Sequence, residues 1–143
     1  MSRIFSRAAL ILVIAALSAR IAAQDIVYKE LAAKGVTPLS GEEVKKVLGG
    51  AKLVTDWGGY KLNLQFDAAG SVGGWVESQR GNSGIVGTWS VNDKHQYCWE
   101  IRVTTTNTPG NGCRRLFKSG YDIYSAVSGQ GHEALMRKLE TAR

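Results

Sequence analysis

Two cysteines, two histidines and a few carboxylates are the residues whose types could carry chemistry in this chain of 143 residues. Cys98 and Cys113 are 15 positions apart, with no Cys-x-x-Cys pair that would suit redox exchange. His95 and His132 are far apart, and no His or Cys stands at ligand spacing, so a metal centre is not expected. His95 sits between Lys94 and Gln96 and reads as a solvated turn imidazole. Ser83, within Gly81-Asn82-Ser83-Gly84, lacks the spacing of a nucleophile elbow and reads as a turn serine. Glu77 and Glu100 could both stand on strands, but a glycosidase needs two carboxyl groups at a set separation, which the sequence does not define. Gly129-Gln130-Gly131 has no third glycine at dinucleotide spacing, so no nucleotide cofactor is expected. No catalytic set assembles, and the chain reads as non-enzymatic.

Binding chemistry is better represented. Four tryptophans, Trp57, Trp75, Trp89 and Trp99, can fill a core or, in a barrel wide enough to stay partly empty, line a ligand cavity. Arg102, Arg114, Arg115 and Lys118 concentrate positive charge around the two cysteines, suiting an anionic ligand, the acids of a protein partner, or an edge defended against sheet pairing. Trp75, Trp89, Trp99, Arg102 and Arg115 are the candidate ligand-binding residues.

The elements that must position these groups read as mainly β. Residues 25–34 predict a short helix with Asp25 as N-cap and Gly35 past its end. Ser40-Gly41-Glu42-Glu43 predicts a second helix through a capping box, with Val44, Val47 and Leu48 on one face. From Ala51 the apolar period becomes two. Strands are expected at 52–56, 60–66, 71–77, 85–91, 97–103, 113–118 and 121–127, with loops at 78–84 and around 109–112. About seven short strands joined by short turns predict an antiparallel meander curling into a small barrel or half-barrel. The layout is an N-terminal helical segment at 24–50, a β domain at 51–128, and a C-terminal helix or tail at 129–143, where Leu135 and Leu139 have helical spacing. A hairpin centred near Thr105 and Thr106 would set Cys98 opposite Cys113 and bridge them, an arrangement that suits an exported protein.

Residues 1–23 read as a signal peptide. Arg3 and Arg7 precede an uncharged apolar run at 8–17, too short to span a bilayer, and Ile21-Ala22-Ala23 offers a cleavage point after Ala23. The expected mature chain has no transmembrane span. Its 15 basic against 12 acidic residues give a formal charge of +3 instead of +6, too little, without a basic and aromatic stripe, for nucleic acid.

Residues 39–127 resemble an uncharacterised family of small secreted proteins of Gram-negative bacteria, the domain of unknown function 995. The likeness rests on five features in order: Leu39-Ser40-Gly41-Glu42-Glu43, Phe66-Asp67-Ala68-Ala69-Gly70, Gly87-Thr88-Trp89-Ser90-Val91, the two cysteines, and a closing strand. The resemblance implies a lipocalin-like periplasmic barrel and no known activity. Gly87-Thr88-Trp89 also looks like the Gly-x-Trp of lipocalins, although there it stands on the first strand and here midway. Together these readings predict a periplasmic or secreted binding protein for a small apolar or amphipathic ligand or an envelope component. The alternative is an inhibitor or accessory protein that docks an exported enzyme through the 105–112 loop or the basic hairpin.

Overall fold

Alternation of apolar and polar residues builds most of the molecule. In the computed structural model, which describes residues 25–141, six antiparallel strands follow one another as a meander. They are β3 (Lys52–Trp57), β4 (Tyr60–Phe66), β5 (Ser71–Ser78), β6 (Gly81–Val91), β7 (Tyr97–Val103) and β8 (Thr108–Arg114). The expected signal peptide at 1–23, with its cleavage point after Ala23, lies outside the described residues. A second antiparallel sheet has the order β1 (Ile26–Val27), β11 (Leu135–Lys138), β10 (Asp122–Ser128), β9 (Leu116–Ser119), β2 (Thr37–Pro38). The protein is therefore mainly β, as its pattern predicts: a curled antiparallel half-barrel with a second sheet and few helices.

The six-stranded sheet curls because its backbones approach closely. A Cβ at Gly74, where φ is +134°, would overlap the carbonyl oxygen of Asn63 on β4, and one at Gly87 would overlap that of Glu100 on β7. The concave face carries Leu53, Leu62, Leu64, Phe66, Val72, Val76, Ile85, Tyr97, Trp99, Ile101 and Val103, all buried. Helix α2 (Gly41–Leu48) adds Val44 and Leu48 to the same core, the second sheet adds Leu116, Ile123 and Val127, and Leu139 joins them just past β11. Two contacts bring the sheet's edges toward closure. Lys52 and Glu140 exchange backbone bonds of 2.8 and 3.0 Å, tying β3 to the chain after β11. At the far end of β3, the Trp57 indole lies on Gly110 of β8, where a Cβ would stand 2.7 Å from its Cζ2.

The capping box predicted for α2 is complete: Glu43 N–H donates to Ser40 Oγ at 3.3 Å, and Ser40 N–H donates to Glu43 Oε2 at 2.8 Å. The Ser40 backbone bond holds the Glu43 carboxyl below its usual range. His95 is exposed, as expected of a turn residue, yet its Nδ1 accepts the Gly41 N–H at 2.8 Å. That bond fastens the first turn of α2 to the turn between β6 and β7.

Several expected boundaries move. Helix α1 (Tyr28–Ala33) begins at residue 28, with Val27 at its N-cap and no side-chain cap, because Asp25 is held by Arg137 and Ile26–Val27 pairs with β11. The expected strand at 113–118 is two, since the chain changes sheets at Arg115. The C-terminal helix is replaced by a 3-10 turn (Gly131–Glu133) and the strand β11; Ala134 and Met136 are buried on a period of two, so the helical spacing of Leu135 and Leu139 is incidental. The expected loops at 78–84 and 105–112 are largely strand. Ser78 pairs with Gly81 across a two-residue turn, which places Ser83 on β6, and Val103 pairs with Thr108, leaving only residues 104–107 in the second turn.

Candidate functional site

Strand register decides which outward side chains meet. On the convex face one row runs Glu140, Lys52, Gln65, Gly73, and the next runs Val54, Asn63, Trp75, Gly84. Against these rows β11 brings Arg137 and Lys138. Together they line an open cleft of about 560 Å³ that includes Asp25, Lys52, Lys61, Gln65, Trp75 and Glu140. A second cleft of about 360 Å³ shares Lys52 and Gln65 and continues along Gly73 toward Asp67 and Ser71.

Some groups in the larger cleft are already engaged. The Arg137 guanidinium is the firmest: Nε donates to Asp25 Oδ1 at 2.7 Å, one terminal nitrogen to Asp25 Oδ2 at 2.8 Å, and the other to the Val54 carbonyl at 2.6 Å. The Asp25 bonds raise the Arg137 pKa further above its ordinary value, against the opposing effect of burial. This fork ties β1, β3 and β11 together, a structural duty for a planar donor set that fits a carboxylate with two parallel bonds. Asn63 Nδ2 donates to Glu77 Oε1 at 3.1 Å, Lys61 lies 3.9 Å from the same carboxylate, and Lys138 pairs with Asp122 at 2.8 Å.

Other groups are uncommitted. Among the described residues the side chains of Lys52, Gln65 and Glu140 make no bond, and neither does the indole N–H of Trp75. Trp75 is 37% exposed, while its cross-strand partners are an asparagine and a glycine, leaving the ring unshielded by bulky neighbours. A large aromatic surface left open in a cleft that also holds an ammonium, an amide and a carboxylate is a place where a part-polar ligand can settle.

The five residues singled out from sequence are not brought together. Trp89 and Trp99 are cross-strand partners on the concave face; Trp99 is 5% exposed, and Trp89 donates its indole N–H to the Asp67 carbonyl at 2.8 Å. Trp75 belongs to the opposite face, so the three indoles enclose no shared volume. The expected basic hairpin is also divided. Arg102 sits at the hairpin tip, donating to the Asn107 carbonyl at 2.8 Å and to its Oδ1 at 3.0 Å. Arg115 marks the corner where the chain changes sheets and donates to the Lys94 carbonyl at 2.7 Å. Arg114 is paired with Tyr97, five positions along β7 from Arg102, which is about 17 Å.

A comparison with protein-family models, curated proteins and solved structures found no match. The disulfide stands as predicted, Cys98 facing Cys113 in register with Cα atoms 4.1 Å apart, the close spacing of a pair without mutual backbone bonds. Beside it, the buried Tyr97 hydroxyl shares a 2.7 Å bond with Ser125, linking the two sheets through the core, and burial pushes its pKa up to about 12. Sequence reasoning missed Lys52, Gln65 and Glu140 because each looks like an ordinary outward residue. Trp75 did carry a signal: Val72 and Val76 point inward, so parity on β5 places an aromatic at a solvent position.

Proposed function

We propose that this is an exported, non-enzymatic binding protein of the periplasm or the medium, which takes an amphipathic ligand or an envelope component on its convex face. The observation that carries the reading is Trp75, an open indole whose N–H meets no partner among the described residues, in a charged cleft outside an already packed core. A ligand inside the sheet would have to displace that core, whereas the convex cleft is open. The bridged cysteines and, among the described residues, the lack of any helix long and apolar enough to cross a membrane agree with export. A binding role is supported by what the cleft holds: of the two carboxylates that line it among the described residues, Asp25 and Glu140, the first is engaged by Arg137, so these two do not stand free together for acid and base work. The order of sequence features proposed for the domain of unknown function 995 accords with the same reading.

The test is fluorescence titration of the exported protein with a detergent monomer and with solubilised envelope material. A spectral change that vanishes in Trp75→Phe and persists in Trp89→Phe supports the convex site; a change that follows Trp89 overturns it. A second reading, an inhibitor of an exported enzyme, draws on the tip at 104–107. There Arg102 holds Asn107, Thr105 donates to Ser83 Oγ at 2.9 Å, and Thr106 shares a 2.7 Å bond with Thr108, giving the tip a preset shape. Pull-down from periplasmic extract tests it, and no partner at micromolar concentration counts against it.

A further inference from the structure

The two convex clefts meet at one pair of side chains, Lys52 and Gln65, which are direct cross-strand partners. Trp75 and Ser71 mark opposite ends along β5, four residues or about 13 Å apart. Between them Gly73 has no side chain, and a Cβ there would have its nearest contact at 3.8 Å, so this part of the floor is low and uncrowded. The result is a shallow trough across β3, β4 and β5 with one aromatic wall, amides along it and, where the two clefts meet, an ammonium that no described residue pairs.

That shape and lining discriminate between ligands. A lipid tail or compact apolar molecule gains affinity by leaving water almost entirely, which needs an enclosed, mostly apolar pocket. An open trough offers no such burial. It suits a chain-like ligand that stays hydrated along one side, presents an apolar face at intervals, and carries hydroxyls for amide and carboxylate partners. Pyranose rings have this character, with axial C–H groups for the indole and equatorial hydroxyls for Gln65, Asn63 and Glu140. The cations lining the larger cleft are Lys52, Lys61, Arg137 and Lys138, against the acids Asp25 and Glu140. Lys61, Arg137 and Lys138 already face acidic partners; among the described residues Lys52 is the cation of the cleft left without one, and the equally uncommitted Glu140 stands across from it on the side away from Trp75.

We infer that the trough binds an acidic oligosaccharide, with one sugar stacked on Trp75 and a carboxylate near Lys52. This rests on the proposed binding role and narrows its ligand to one class. Three probes separate the two claims: a short uronic-acid oligomer, a neutral β-linked glucose oligomer of equal length, and a single-chain anionic detergent below its critical concentration. Binding to the exported protein is read by calorimetry and tryptophan fluorescence, with near-ultraviolet circular dichroism to show that each variant keeps its packing. The uronic oligomer is expected to bind more tightly than the neutral one and to weaken with added salt. Trp75→Ala is expected to weaken it about tenfold or more, and Lys52→Gln about threefold while leaving the neutral oligomer unchanged. Detergent binding lost in Trp75→Ala, with neither sugar bound, overturns the saccharide assignment and leaves the binding role standing. No Trp75-dependent binding of any probe overturns both. Uronic and neutral oligomers bound equally, with no effect of Lys52→Gln, overturn the acidic assignment.

Discussion

Replacing Gly112 with alanine tests how tightly the concave face of the curled sheet is packed. Gly112 lies opposite Trp99, and a Cβ there would stand 2.8 Å from Trp99 Cζ2 and 3.1 Å from Cε2. The same change at Gly110 would place a Cβ 2.7 Å from Trp57 Cζ2 and 3.0 Å from Cη2. Distances alone predict equal damage. The two indoles differ in freedom, however: Trp99 is 5% exposed and walled by the core, whereas Trp57 is half-buried at the end of β3 and can swing outward. Overpacking a rigid core costs about 1–3 kcal/mol, and losing a glycine from the unfolded chain returns about 0.4–1 kcal/mol. Gly112→Ala should therefore destabilise by about 1–2 kcal/mol, and Gly110→Ala by less than about 1 kcal/mol. Gly73→Ala is the control, since its Cβ meets nothing nearer than 3.8 Å, and it should be neutral or slightly stabilising.

The measurement is urea unfolding followed by far-ultraviolet circular dichroism, which does not depend on the indoles being moved. Adding Trp99→Phe to Gly112→Ala should give a combined loss smaller than the two single losses together, because the smaller ring leaves room for the methyl group. Gly112→Ala as stable as Gly73→Ala would refute the packing argument. Strict additivity with Trp99→Phe would show that the new methyl meets something else.

Three further outcomes follow from the core and its ties. Because the Tyr97 pKa is raised from 10.0 to about 12 in the folded protein, its contribution is fully present below about pH 10 and falls as pH rises toward 12; a loss on the order of 3 kcal/mol across that window, about half of it by pH 11, should be reduced in Tyr97→Phe, checked by urea midpoints at pH 9 and pH 11. The double variant Cys98→Ser, Cys113→Ser should lose about 3 kcal/mol from a 15-residue loop, and an unfolding midpoint unmoved by reductant would contradict this. Arg137→Met should cost about 1–3 kcal/mol, less in an Asp25→Asn background where no carboxylate is left unpaired; equal losses in both backgrounds would mean that the pairing with Asp25 contributes nothing.

Local codes were legible in the sequence and long-range ones were not. Ser40 and Glu43 need only each other to start α2, so the capping box located that helix within a residue. Strict alternation located β4 at Tyr60–Phe66 and β7 at Tyr97–Val103, and centring a hairpin on Thr105 and Thr106 set Cys98 against Cys113. Pro109-Gly110-Asn111-Gly112 reads as a loop by composition, yet it is strand, because two of its glycines make room for Trp57 and Trp99, rings supplied from elsewhere in the chain. Asp25 reads as a helix cap until Arg137, 112 positions away, takes its carboxylate. The C-terminal segment failed similarly: its strand is defined by the gap it fills between β10 and β1.

The candidate site belongs to this second, non-local kind, which is why it moved from the interior to the convex face. A cavity bounded by Trp75, Trp89 and Trp99 assumes that the three indoles share a side. Parity along single strands separates them: Trp89 and Trp99 stand with Gly87 and Ile101 on the concave face, and Trp75 alternates with Val72 and Val76. Once the concave face is committed to packing, any outward aromatic needs a reason of its own, since leaving an indole in water forgoes the burial that its size offers. Its neighbours supply that reason only in two dimensions. Lys52, Gln65 and Glu140 come from three segments spread over nearly 90 positions, and register alone sets them in the row beside Trp75. A ligand read by such a row would sense the sheet's register directly. A change that slips β3 by one residue against β4 would turn Lys52 to the concave face, so it should abolish binding although no lining residue is itself substituted.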